Sequence, residues 1–117
     1  MNYVGIDIIE IGRIKRAIGR WGSAFLGRIY TPDELALFQA KPASLAARFA
    51  GKEAVIKALG IKNSPYRDIE ILNDKYGRPT LRLYGRALKT SRQLGVELKV
   101  SLSHSRAYAV ACASGTD

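Results

Sequence analysis

The chain has 117 residues, with 19 Lys or Arg against 10 Asp or Glu, and its net charge of +9 calls for an acidic or phosphorylated partner. Its length supports one domain over residues 1–117 with a modest core, and 47% hydrophobic with 25% charged residues is an ordinary globular balance. No apolar run reaches the roughly 18 residues that cross a bilayer, and the single cysteine, Cys112, excludes an internal disulfide framework and a zinc cluster.

Residues 3–9 alternate, with Val4, Ile6 and Ile8 on one side and Tyr3, Gly5, Asp7 and Ile9 on the other, the period of a strand. Asp7 and Glu10 interrupt this apolar opening and no basic leader precedes it, so no signal peptide is expected and the cytoplasm is the simplest compartment. A basic helix is predicted over 10–20. Between Gly12 and Tyr30 the charged residues are Arg13, Lys15, Arg16, Arg20 and Arg28, all positive. Thr31-Pro32-Asp33-Glu34 is a helix start, with Thr as N-cap, Pro at the first helical position and acids suited to the dipole; that helix should reach about residue 40. Residues 43–59, rich in Ala and Leu and closed by Gly60, form the strongest predicted helix. Strands are predicted over 69–72 and 80–84 around a turn-rich 73–79, then a helix over 85–94 ended by Gly95, then strands over 98–103 and 108–113. Cys112, between alanines in the last strand, reads as a small core residue. The expected fold is α+β: a mainly antiparallel sheet packed on one long helix.

Two acids sit in apolar surroundings, Asp7 in the first strand and Glu53 in the middle of the long helix. A carboxylate so placed needs a cation, a donor or a raised pKa. Each taken alone is satisfied by solvent or by a lysine. Together they form a pair of hard oxygen ligands from two elements, suited to Mg²⁺, which uses one or two carboxylates and completes its shell with water and phosphate. Phe49, Glu53 and Lys57 follow at i, i+4 and i+8 on one stripe of the helix. Two readings of Lys57 stand: a surface ion pair with Glu53, or a phosphate ligand beside a metal. His104, the only histidine, ends a strand within Ser101-Leu102-Ser103-His104-Ser105, a crowd of donors suited to phosphate. No Walker loop and no dinucleotide fingerprint occurs.

Three segments resemble the holo-acyl-carrier-protein synthase branch of the 4′-phosphopantetheinyl transferases: the run from Gly5 to Ile14 with Asp7 and Arg13-Ile14, the helix Arg48-Phe49-Ala50-Gly51-Lys52-Glu53-Ala54 with Lys57-Ala58, and Val100 to Ser105 followed by Tyr108-Ala109. Gly51 stands where the resemblance leads one to expect alanine, which weakens the helix by roughly 1 kcal/mol. The resemblance implies that a carrier-protein serine attacks the β-phosphate of coenzyme A and that 3′,5′-ADP leaves. It implies Asp7 and Glu53 as Mg²⁺ ligands, Glu53 as acceptor of the serine proton, and Lys57 as the charge neutralising the phosphoryl group. Arg48, Ser103, His104 and Ser105 match positions that hold the 3′-phosphate and ribose, and the Gly77-Arg78-Pro79 turn matches an adenine-contacting loop. Arg13, Arg16 and Arg20 would meet the acidic helix of the acyl carrier protein. A homotrimer with active sites between chains is implied as well. The rival reading is a nucleic-acid-binding module. Its aromatics, from Tyr3 to Tyr108, are scattered along the chain instead of clustered on a strand pair, and no known DNA- or RNA-binding motif occurs. Neither nucleic acid nor membrane is therefore expected as a partner.

Overall fold

The 18-residue helix α4 (Pro42–Leu59) runs through the middle of the molecule, and the other elements are arranged on it. The computed structural model describes residues 1–117. Before α4 come β1 (Asn2–Glu10), α1 (Ile11–Trp21), α2 (Ser23–Ile29) and α3 (Pro32–Phe38). After it come a 3₁₀ turn (Tyr66–Asp68), β2 (Ile69–Asn73), β3 (Pro79–Leu83), α5 (Gly85–Leu94), β4 (Lys99–His104) and β5 (Tyr108–Thr116). The strands form two separate antiparallel sheets, one of order β1-β5-β4 and a hairpin of β2 with β3. No helix is long and apolar enough to cross a membrane.

The predicted elements recur within one or two residues except the last strand, which runs three residues beyond 113 to Thr116, and Gly60 and Gly95 close α4 and α5 in the left-handed conformation. Helix α3 stops at Phe38, short of residue 40, and α2 was not anticipated. Seven residues, with Gly22 before them and Gly27 among them, are too few to display a helical period; α2 forms because Leu26 and Ile29 are buried by the core.

Alternation in β1 is real, but its more apolar face points outward. Val4, Ile6 and Ile8 are 62%, 62% and 63% exposed. The face bearing Gly5, Asp7 and Ile9 is the one laid on α4, because only a glycine permits so close an approach. A Cβ on Gly5 would fall onto the carbonyl oxygen of Ala54 and lie 2.8 Å from the Ala58 amide nitrogen. Asp7, two residues on, is thereby carried to the same helix. Gly51 has a similar reason for being small: a Cβ there would lie 2.5 Å from Cδ1 of Ile71 and 3.2 Å from Leu102. What the helix loses in propensity it regains in close packing with β2 and β4.

On its other side α4 buries a charge. Lys52 is fully buried, and its ammonium donates to Glu34 Oε1 at 2.7 Å, to the Tyr66 carbonyl at 3.1 Å and to the Ile69 carbonyl. Glu34, also fully buried, closes the capping box with Thr31 and accepts from the Ile71 amide at 2.8 Å through its second oxygen. All three ammonium protons and both carboxylate oxygens are thus engaged, the condition under which a buried ion pair is tolerated. Burial lowers the Lys52 pKa and Glu34 opposes that shift. Lys52→Met leaves Glu34 charged and without its cation, so we expect a loss of about 3–5 kcal/mol in urea unfolding. A loss under about 1 kcal/mol would mean that the pair is not the tie between α3, α4 and β2.

Candidate active site

Asp7 and Glu53 reach the same region from two elements. Asp7 projects from β1 toward α4, where its Oδ1 accepts from Lys57 Nζ at 3.0 Å; the same ammonium donates to the Ile6 carbonyl at 3.0 Å. Glu53 sits one turn earlier on α4 and makes no ion pair with Lys57. Its Oε1 accepts instead from the hydroxyl of Tyr66 at 2.6 Å. The open surface ion pair between Glu53 and Lys57 is therefore not formed; Asp7 takes the lysine, and Glu53 makes no ion pair. Burial and the adjoining Glu53 carboxylate push the Tyr66 phenol up to about 12, with Asp7 adding to the rise and Arg28 opposing it. The phenol thus lies in the field of Asp7, Glu53 and Arg28 together. Glu53, Arg28 and Tyr66 line one open cavity of about 740 Å³ with the loop 61–65.

No cluster of three or more His, Cys, Asp or Glu side chains lies anywhere in the chain. Glu53 lines the open cavity and Asp7 acts on the same Tyr66 phenol from β1; two hard carboxylates of this kind fit Mg²⁺, whose remaining positions water and phosphate oxygens would fill.

A second, smaller cleft of about 190 Å³ opens toward the start of α4. Arg48, Gly77, Pro79, Ser103 and His104 line it together, with Ser44 and Asn73. Five positions scattered over the sequence from 48 to 104 are brought to one place by the packing of the β2–β3 turn and β4 against α4. Arg48 is nearly buried: its Nε donates to the Ile71 carbonyl at 3.3 Å, one terminal nitrogen donates to Asn73 Oδ1 at 2.7 Å, and the guanidinium lies 3.9 Å from the Phe38 ring centroid. A guanidinium has five N–H donors, so this anchoring leaves others for the cleft. Ser105 is not brought in. Its hydroxyl accepts from the amides of Ala107 and Tyr108 and shapes the β4–β5 turn. Lys57 stands apart from this cleft, nine residues beyond Arg48 on the helix, or about 13.5 Å at 1.5 Å per residue.

A model of the 4′-phosphopantetheinyl transferase superfamily matches residues 3–113. The holo-[acyl-carrier-protein] synthase of a Dehalococcoides mccartyi strain is 55% identical over 119 aligned positions, covering all of both chains. This chain belongs to the holo-acyl-carrier-protein synthases. The solved structure of the Helicobacter pylori synthase in complex with coenzyme A superposes with a TM-score of 0.86 at 31% identity, covering 97% of this chain and 99% of that one. The Neisseria meningitidis synthase gives 0.87 at 35% identity, with 98% of each chain covered.

In this synthase the arginines singled out in α1 edge an apolar groove. Arg13, Arg16 and Arg20 line a depression of about 450 Å³ whose floor includes Trp21, Phe25 and Phe49. Those three aromatics also line the neighbouring depression, which continues past Arg28 to Tyr66. The groove therefore leads from the α1 arginines to the cavity that holds Glu53. Sequence reasoning missed its apolar part, and it missed Arg28 and Tyr66 as site residues. Arg28 was visible only as one positive charge among five. Tyr66 lies in the stretch after Gly60 that carried no motif. No local pattern marks either residue, because the 3₁₀ turn and α2 approach Glu53 through tertiary packing alone.

Proposed function

We infer that the chain transfers the 4′-phosphopantetheine arm of coenzyme A to a serine hydroxyl of an apo-acyl carrier protein, releasing 3′,5′-ADP, and that it requires Mg²⁺. One observation carries this reading: a single helix presents Arg48 to a small polar cleft of about 190 Å³, Glu53 about 7.5 Å further on and Lys57 about 13.5 Å further on at 1.5 Å per residue, where Lys57 meets Asp7. That spacing suits an elongated nucleotide whose 3′-phosphate lies at Arg48 and His104 and whose pyrophosphate lies toward Lys57.

Asp7 and Glu53 would hold the Mg²⁺, which when bound neutralises pyrophosphate oxygens as charge develops. Lys57, steadied by Asp7 and the Ile6 carbonyl, places its exposed ammonium beside the same oxygens. The serine oxygen forms its bond to the β-phosphorus while the bond from that phosphorus to the bridging oxygen breaks, and 3′,5′-ADP departs with the electron pair. The Glu53 carboxylate accepts the serine proton, directly or through a water. The protein's contribution is positioning and electrostatics, as phosphoryl transfer requires. Gly77 and Pro79 flank the adenine side of the cleft.

The carrier docks along the groove, its acidic helix against Arg13, Arg16 and Arg20 and its apolar residues on Trp21, Phe25 and Phe49. The outer face of β1 and β5, where Val4, Ile6, Ile8 and Tyr108 are exposed in one patch, is the surface through which three copies associate, with active sites between chains. A substrate pair of coenzyme A and an acyl carrier protein supports a role in fatty acid biosynthesis, in the cytoplasm.

Intact-mass spectrometry of an apo-acyl carrier protein incubated with the protein and coenzyme A should show a gain of one phosphopantetheine with Mg²⁺ and none with a chelator. Asp7→Ala or Glu53→Ala should abolish that gain in a folded protein, and near-normal turnover in either would sink the metal assignment. Arg13→Glu or Arg20→Glu should raise KM for the carrier about tenfold at low salt and leave KM for coenzyme A unchanged. Equal effects on both substrates would argue against the groove as the carrier surface. Ile6→Lys, on an exposed position of the isolated chain, should convert the trimer to a monomer in size-exclusion chromatography with light scattering; an unchanged mass would place the interface elsewhere.

A further inference from the structure

Tyr66 belongs to none of the segments that carry the resemblance, yet its hydroxyl makes the only hydrogen bond that the Glu53 carboxylate has. The side chain is fixed from three directions. Its ring packs on Phe49, with centroids 5.4 Å apart and planes inclined by 30°. Its backbone carbonyl accepts from the buried ammonium of Lys52, the residue just before Glu53 on α4. Its hydroxyl then meets Glu53 Oε1 at 2.6 Å. A half-buried glutamate free to rotate loses side-chain entropy whenever it is held in one orientation. Here that ordering is done before any ligand arrives.

The chemistry of the partner matters as much as its position. A lysine or arginine on Glu53 would neutralise the carboxylate and compete with a metal ion. Lys57, one turn on along α4, is turned to Asp7 and the Ile6 carbonyl instead, and Arg28, which lines the same cavity, makes no ion pair with Glu53. A neutral phenol orients the carboxylate and leaves its charge in place, with Oε2 making no hydrogen bond within the protein. We propose that Tyr66 is a positioning residue that fixes Glu53 in the orientation from which its free oxygen binds the divalent cation. This rests on the reading of Glu53 as a metal ligand. Tyr66 touches neither the reacting phosphorus nor the serine in this role; it acts through Glu53. Partners of metal-binding carboxylates contribute a recurring share of metal affinity, and their removal typically weakens binding ten- to a hundredfold.

Tyr66→Phe keeps the ring on Phe49 and the carbonyl on Lys52 and removes only the hydroxyl. Mn²⁺ is titrated into the protein saturated with coenzyme A, with no carrier present and hence no turnover, and free Mn²⁺ is read by electron paramagnetic resonance. Tyr66→Phe should raise the Mn²⁺ Kd about tenfold. The Mg²⁺ concentration for half-maximal transfer should rise by the same factor, while KM for coenzyme A at saturating Mg²⁺ stays unchanged. Glu53→Gln is measured alongside. If Glu53→Gln weakens Mn²⁺ binding and Tyr66→Phe does not, Tyr66 serves packing only and this proposal fails while the metal site stands. If neither variant changes the Mn²⁺ Kd, the metal reading of Glu53 fails and takes the proposal with it.

Discussion

The ammonium of Lys52 is the point to which the rest of the molecule is tied. Buried without solvent, it can persist only because its three protons go to Glu34, the Tyr66 carbonyl and the Ile69 carbonyl. Each of those partners belongs to a different segment. Glu34 caps α3 and receives the Ile71 amide, so the pair joins the two helices to the hairpin. The carbonyls fix the entry to β2 and, with it, where the Tyr66 ring lies. Such a pair contributes less through net attraction than through the penalty for any arrangement that leaves one charge alone.

Consecutive residues on α4 therefore have opposite tasks. Lys52 faces inward and is saturated by the protein. Glu53 faces the cavity and is held by a single neutral donor. The pattern repeats along the helix, with Arg48 bonded to β2 while lining the smaller cleft and Lys57 exposed but steadied by Asp7. Site residues borrow their rigidity from a core helix, which suits a reaction that depends on placing charge more than on covalent chemistry.

The close contact of β1 with α4 has a second consequence. Because Gly5 lets the strand backbone press onto Ala54, the side chains of Tyr3, Asp7 and Ile9 fill the space beside the helix and those of Val4, Ile6 and Ile8 are left outside. A β-sheet with one branched, apolar face in water and the other on a helix is an incomplete structure for a small chain. Its outer face is formed by β1 and β5, whereas the arginine-edged groove is lined mainly by α1, α2 and α4, with Ile9 of β1 turned to the groove side.

The sequence by itself determined the local elements. Alternation marked β1, Thr31-Pro32 opened α3, Gly60 and Gly95 ended α4 and α5, and the spacing of Phe49, Glu53 and Lys57 put them on one stripe; each signal depends on neighbours within a turn or two of chain. The motif residues likewise named Asp7, Glu53, Arg48 and His104 before any contact was known. Only the tertiary structure decided that Lys57 pairs with Asp7 and not with Glu53, that Ser105 serves a turn, that the branched face of β1 points outward, and that Tyr66 and Arg28 stand at the site. Apart from the Ser105 turn, whose bonds span two and three residues, those outcomes hang on distances between residues that are far apart in sequence, 13 positions for Tyr66 and Glu53 and 50 for Lys57 and Asp7. No local pattern encodes such distances, because they are fixed by which buried charges and close backbone contacts can be satisfied at once.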